Sequence, residues 1–366
     1  MRKTHAIFLI VFILISINSV FARPSPQRQT NQPAVYELAL IINIGSVDDG
    51  SFNQGSWEGL VRYATEKNIS YKYYKSAVDG INGLLSVIDQ AAAAGAKVIV
   101  TPGYMFDTPV FIAQERYPGV RFILIDSIPN DGGVIPAYRT GDNTVGVLYA
   151  EDQAGFLAGY AAVKDGYRKL GFFGGTAARS VIRFGYGFIQ GAEYAAQELG
   201  LSPGSVTMNY HYTGSFTASA QAKALATAWY DSGIEVIFAC GGEMGSSVIA
   251  AAEITGGRVI GVDIDQSGES PAVITSAMKM LQTSVYESIA SFYSGTFPGG
   301  QTLIFHAANN GIGLPMSTSK FRTFNLSDYN NIYRLLSNGT IPRIERVDTG
   351  GSPAGIQTSI VMIVES

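Results

Sequence analysis

Short apolar, β-branched runs alternate with amphipathic stretches along most of this chain. The runs at 38–44, 69–74, 98–101, 121–125, 170–173, 235–239 and 259–262 are bounded by Gly, Ser, Asp or Asn. Continuous runs of this kind predict parallel strands buried on both faces. Between them, helical periodicity predicts helices over 56–66, 81–94, 147–163, 188–199, 218–232 and 246–255. The second half repeats the first: Gly171-Phe172-Phe173-Gly174-Gly175 opens a new strand–turn–helix series, as residues 40–45 open the first. Repetition of this α/β pattern predicts two doubly wound parallel sheets with crevices at the carboxyl ends of their strands. Two such lobes facing each other across a hinge make a cleft that closes over a ligand. Lobe I is expected over 36–143 and 267–306, lobe II over 144–266 and 307–366, with the chain crossing near Asn143, Gln266 and His306. An alternating strand at 358–364 completes the second lobe.

The first residues break this pattern. Met1-Arg2-Lys3 is followed by an apolar stretch from Ala6 to Ile17 and then Ser19-Val20-Phe21-Ala22. A basic head, an apolar middle and a small-x-small end predict a signal peptide over 1–22, cleaved after Ala22; an uncleaved anchor is the alternative. Pro, Gln, Asn and Arg then make 23–35 a flexible leader. The formal charge of −4 comes without a basic run, so no nucleic-acid partner is expected. Cys240 is the single cysteine, which excludes an intramolecular disulfide in an exported chain. A bacterial envelope protein with a core large enough to stand without staples fits both facts.

Catalytic signals are thin. His5 lies in the signal, and His211 and His306 are isolated from each other and from any cluster. A metal site needs such a cluster. Cys240 ends a strand as a small hydrophobe. Gly174-Gly175 and Gly241-Gly242 fit tight turns but match no phosphate-binding loop. Asp48, Asp49, Asp263 and Asp265 lack Ca²⁺-loop spacing. Neither cofactor nor metal is expected.

The informative feature is where the carboxylates fall. Asn43 and Asp48-Asp49 close the first strand, Asp126 closes the fourth, Asp263 closes the run 259–262, and Lys279 follows at the end of Thr275-Ser276-Ala277-Met278-Lys279. Carboxylates at strand ends converge on the switch-point crevice, and each accepts hydroxyl hydrogen bonds, as a ribose diol or a sugar offers. Each could equally cap a helix. Phe52 and Phe216, one from each half, can clamp a flat ring by offset stacking. Asn53 offers both a donor and an acceptor to the edge of a heterocycle, and Trp57 reads as helix packing.

The run N-I-G-S-V-D-D-G-S-F-N-Q-G-S-W-E-G from Asn43 to Gly59 resembles the first motif of the basic membrane protein family, D-x-G-x-x-D-D-x-S-F-N-Q-x-x-W-E-G. Further matches are F-I-L-I-D ending at Asp126, A-G-F-L-A-G at 154–159, residues 166–175, Y-T-G-S-F at 212–216, G-V-D-I-D-Q at 261–266 and T-S-A-M-K at 275–279, in order along the whole chain. The resemblance implies a two-lobed type I periplasmic-binding-protein fold, a substrate-binding role beside an ABC permease in the inner membrane, and a purine nucleoside ligand. It implies that Phe52 and Phe216 sandwich the base, and that Asn43 and Asn53 address its edge. Asp126, Asp263 and Lys279 then hold the ribose, and Gly242 gives a backbone contact; Asp49 joins the set as the carboxylate of its pair that faces the cleft. Two departures stand out. Position 43 is Asn where the family commonly carries Asp, and the signal lacks the cysteine that lipoprotein members have.

The expectation is a non-enzymatic, monomeric nucleoside receptor, exported to the periplasm or the outer face of the cytoplasmic membrane. Its alternatives are a receptor for a sugar or another small polar metabolite, a nucleoside-cleaving enzyme, and a sensor docked to a membrane partner.

Overall fold

The computed structural model describes residues 35–341 and 344–365. The expected signal peptide, its cleavage site and the leader up to residue 34 lie outside the described residues. In chain order the strands are β1 (Leu38–Ile42), β2 (Tyr71–Lys75), β3 (Val98–Pro102), β4 (Arg121–Ile125), β5 (Thr144–Tyr149), β6 (Lys169–Gly174) and β7 (Val206–Tyr212). They continue with β8 (Val236–Cys240), β9 (Arg258–Asp263), β10 (Val273–Lys279), β11 (Thr302–Phe305), β12 (Ile312–Gly313) and β13 (Val361–Glu365). The α-helices are α1 (Phe52–Lys67), α2 (Ile81–Ala93), α3 (Asp107–Arg116), α4 (Glu151–Lys164), α5 (Arg179–Glu198), α6 (Ala220–Asp231), α7 (Met244–Thr255), α8 (Leu281–Tyr293) and α9 (Leu326–Ser337).

Two sheets result. One has the order β11-β5-β4-β3-β1-β2, the other β12-β10-β9-β8-β6-β7-β13. Among the described residues, all pairings between these strands are parallel except β10 with β12. The order β2-β1-β3-β4-β5 recurs as β7-β6-β8-β9-β10, so each strand of the first five has a counterpart in the second sheet. Strands β1, β3 and β8 are buried at every position, which is what a sheet covered by helices on both faces requires. This is the two-lobed type I periplasmic-binding-protein fold.

The strands change sheet after Tyr149, after Lys279 and after Phe305. The third change falls at His306, while β5 lies with the first sheet and β10 with the second, beyond Asn143 and Gln266. The helix expected at 147–163 was too long for the same reason: Thr144–Tyr149 pairs with β4, and α4 starts at Glu151. Gly146 makes that pairing close, since a β-carbon there would lie 3.0 Å from the Ser127 carbonyl oxygen. Strand β10 escaped notice because Thr275 and Ser276 interrupt its apolar run. Both are buried but satisfied, Thr275 by the Ser319 hydroxyl at 2.8 Å and Ser276 by the Gln266 N–H at 3.0 Å. Helix α5 likewise begins at Arg179, well before the expected 188.

Helices α4 and α5 touch backbone to backbone. A β-carbon on Gly155 would lie 2.1 Å from the Phe184 carbonyl oxygen, and one on Gly159 2.0 Å from that of Phe188. From the other side, Gly187 meets the Asp152 carbonyl at 2.1 Å and Gly191 that of Phe156 at 2.0 Å. Glu193 on α5 then secures the chain end, accepting the N–H groups of Ser359, Ile360 and Val361 just before and at the start of β13. No helix among the described residues is long and apolar enough to cross a membrane.

Candidate functional site

A cavity of about 440 Å³ lies where the carboxyl ends of both sheets meet, lined by residues from each. All nine residues singled out from sequence line it: Asn43, Asp49, Phe52, Asn53, Asp126, Phe216, Gly242, Asp263 and Lys279. The order of the strands explains why. Each of these residues sits at or just after a strand's carboxyl end, or at the helix start that follows, and parallel strands deliver all such ends to one edge.

The polar end is a buried charge cluster. Lys279, at the end of β10, donates to Asp126 Oδ2 at 2.5 Å and lies 3.5 Å from Asp263 Oδ1 and 3.7 Å from Glu151 Oε1. Phe52, Phe184 and Tyr149 surround its ammonium, with ring centroids at 5.0, 5.2 and 5.5 Å. Burial alone would push the Lys279 pKa down, but the Asp126, Asp263 and Glu151 carboxylates push it up further, so it stays charged. Burial raises Asp126 and Glu151, each only partly relieved by the lysine. Asp126 Oδ1 is buried without a partner. The Asp126 and Asp263 backbones are left-handed, at φ 65° and 69°, a conformation that costs energy for a side-chain-bearing residue and clusters at functional sites. Asp263 Oδ2 accepts the Ser51 hydroxyl at 2.8 Å, tying the β1–α1 loop to the second sheet.

Glu151 and Arg183 complete this cluster, and neither was singled out from sequence. Arg183 donates from Nη1 to Glu151 Oε2 at 3.2 Å and from Nε to Asp348 Oδ1 at 2.7 Å. Glu151 was hidden inside a helix drawn too long. Arg183 had a usable signal: an arginine inside Val181-Ile182-Arg183-Phe184 is a charge in an apolar run, and a buried charge requires a partner.

Beside the charge cluster the cavity presents rings and amides. Phe52 faces Gly103, and the Phe216 ring packs over Gly175. Asn53 Nδ2 donates to the Ile44 carbonyl at 2.9 Å, and Asn43 Nδ2 donates to Met105 Sδ at 2.7 Å, leaving Asn43 Oδ1 buried without a partner. Asp49 lines the cavity with both oxygens engaged, accepting the N–H groups of Ser51, Asn53 and Gln54 at the start of α1. Burial pushes Asp49 up to about 6 despite those bonds. Gly242 holds φ 56° and presents backbone alone to the cavity. The lining residues that went unnoticed in the sequence include Asp107, raised by burial to about 6, Arg179, Glu243 and Asp348.

The remaining sequence candidates have structural roles. Cys240 is free and buried, its thiol pushed up by burial. Trp57 packs on Tyr71 and Tyr73 with centroids 5.5 and 5.6 Å apart. His306 accepts the Ala308 N–H at 3.2 Å as a cap, and His211 lies against Phe173. Among the described residues no group of three or more His, Cys, Asp or Glu could hold a metal ion.

Residues 37–347 match the family described as ABC transporter substrate-binding protein, PnrA-like. The chain is 28% identical over 311 residues to the ABC transporter nucleoside-binding protein BmpA of Lactococcus lactis subsp. cremoris, covering 78% of this chain and 84% of that one. It is 30% identical over 286 residues to basic membrane protein A2 of Borrelia garinii subsp. bavariensis, covering 77% and 80%. Among solved structures, an ABC transporter solute-binding protein from Aeropyrum pernix superposes with a TM-score of 0.67 at 22% identity, covering 83% of this chain and 87% of that one. The chain therefore belongs to the PnrA-like family of ABC transporter substrate-binding proteins, non-enzymatic receptors that pair a small-molecule ligand with a membrane permease.

Proposed function

We propose that this receptor captures a nucleoside, with a purine base, between its two lobes. The observation that carries this reading is the division of labour within one cavity. The Phe52 and Phe216 rings and the Asn43 and Asn53 amides line the same cavity as a buried lysine with Asp126 and Asp263, and the Phe52 ring stands 5.0 Å from the lysine's ammonium. Aromatic faces bury a flat base, worth about 0.5–1.5 kcal/mol per pair beyond area burial. Asp126 Oδ1, buried and unpartnered, can accept a ribose hydroxyl that a deoxy analogue would fail to supply. The naming of the Lactococcus relative as a nucleoside-binding protein supports the same ligand class. The lobes are taken to divide where the strands change sheet, and the receptor to work as an exported monomer in the periplasm or on the outer face of the cytoplasmic membrane. Thermal-shift measurement against nucleosides, free bases and sugars tests the ligand class, since a ligand of the folded state raises its melting temperature. Purine nucleosides should raise it most; a response to sugars alone would refute the reading.

A further inference from the structure

The base end of the cavity is richer in acceptors than the two asparagines imply. Glu243, directly after Gly242 and at the start of α7, lines the cavity. A β-carbon added to Gly45 would sit 3.4 Å from Glu243 Oε1 and 3.3 Å from Asn53 Nδ2, so this carboxylate reaches across from the second sheet to the β1–α1 loop of the first. Gly45, at φ 77°, leaves the space between them open. Among the described residues no cation lies within ion-pair distance of Glu243, and its carboxylate receives no hydrogen bond. Each neighbouring amide spends one of its two N–H donors, Asn53 on Ile44 and Asn43 on Met105, and Asn43 Oδ1 stays buried without a partner. The cavity wall therefore carries two unmatched acceptors, the Glu243 carboxylate and the Asn43 amide oxygen.

We infer that Glu243 sets base specificity by accepting two adjacent N–H donors, so that the preferred ligand carries a donor-rich edge of the guanine type. The inference rests on the nucleoside reading above. A carboxylate presents two oxygens side by side, matching the N1–H and 2-amino groups of guanine as a bidentate pair. Inosine lacks the 2-amino donor, and adenosine offers an unprotonated ring nitrogen that a carboxylate repels. Such acceptors discriminate against ligands lacking the matching donors, because the bidentate pair is then only half made.

Isothermal titration calorimetry with guanosine, inosine and adenosine tests this on wild-type protein, Glu243→Ala and the near-isosteric Glu243→Gln, each checked by its melting curve. Wild type should bind guanosine about tenfold or more tighter than inosine. Both substitutions should weaken guanosine about tenfold more than they weaken inosine. Equal wild-type affinities, a preference for adenosine, or an equal loss for guanosine and inosine would overturn the role given to Glu243 and leave the nucleoside reading standing. If wild type binds none of the three, that reading falls and this inference with it.

Discussion

The fourth strands of the two sheets end alike, and the fifth do not. β4 and β9 occupy the same place in their sheets, and each delivers a left-handed aspartate, Asp126 or Asp263, to the cavity. β5 and β10 also correspond, but one ends on Tyr149 and the other on Lys279. The repeat thus brings two like charges together, and the break in the repeat supplies the cation that makes this tolerable. The two aspartates then part company. Asp126 takes the short bond to Lys279 and keeps a bare oxygen, whereas Asp263 shares itself between Lys279 and the Ser51 hydroxyl.

Removing the asymmetric residue should have the largest effect. Lys279→Met leaves Asp126, Asp263 and Glu151 facing one another in a buried site, and breaking a buried ion pair in this way costs about 3–5 kcal/mol. Urea unfolding should show that loss, and calorimetry should show no nucleoside binding. Replacing either twin comes next. Asp126→Ala and Asp263→Ala should each weaken nucleoside binding by about 30-fold or more while the protein stays folded, Asp126→Ala the more severely because its free oxygen is lost. Unchanged affinity in either variant would remove that residue from the site.

A smaller effect separates the sheets by pH. In the first-sheet loops, burial raises Asp49 and Asp107 to about 6, whereas in the second lobe the Arg183 guanidinium holds Asp348 below its usual range. A carboxyl raised in the folded state binds its proton more tightly there than in the unfolded chain. Its stabilising contribution is therefore full below about pH 4 and is lost as the pH rises through 6. Asp107→Asn keeps the bond from Asn130 and removes one such group. Melting temperatures should fall less between pH 4 and 8 in this variant than in wild type, a difference of up to about 2 kcal/mol. Asp348 works in the opposite direction: its stabilisation is present above the unfolded pKa and fades as the pH falls. The smallest change belongs to Arg62→Ala, whose exposed pair with Glu66 across one helical turn is screened by solvent, so the urea midpoint should barely move.

Much of this was legible because buried parallel strands announce themselves. Leu38–Ile42 and Val236–Cys240 are apolar throughout and Val98–Pro102 nearly so, and polar residues appear at or just past the strand end. The same rule picked out Asp126 and Asp263. It failed where a strand carries polar residues that tertiary partners satisfy, as Thr275 and Ser276 do in β10, and where strand and helix run together without a breaker, as between Tyr149 and Glu151. Glu151 was missed for that reason: a residue two positions past an unrecognised strand end has no visible address, whereas Arg183 stood in view as a charge inside an apolar run. Glu243 and Asp107 were missed because helix starts favour acids anyway, so a functional carboxylate there looks like an ordinary one.

The glycine contact between α4 and α5 has a mechanical consequence. Helix α4 begins just after the chain leaves the first sheet, and the opening turn of α5 forms part of the cavity wall. Four carbonyl oxygens seated where side chains would otherwise stand leave this pair no room to slide. Torque applied at the crossover therefore reaches the wall as a rotation of one stiff body. A methyl group at Gly187 would push the two helices apart and shift that wall with them.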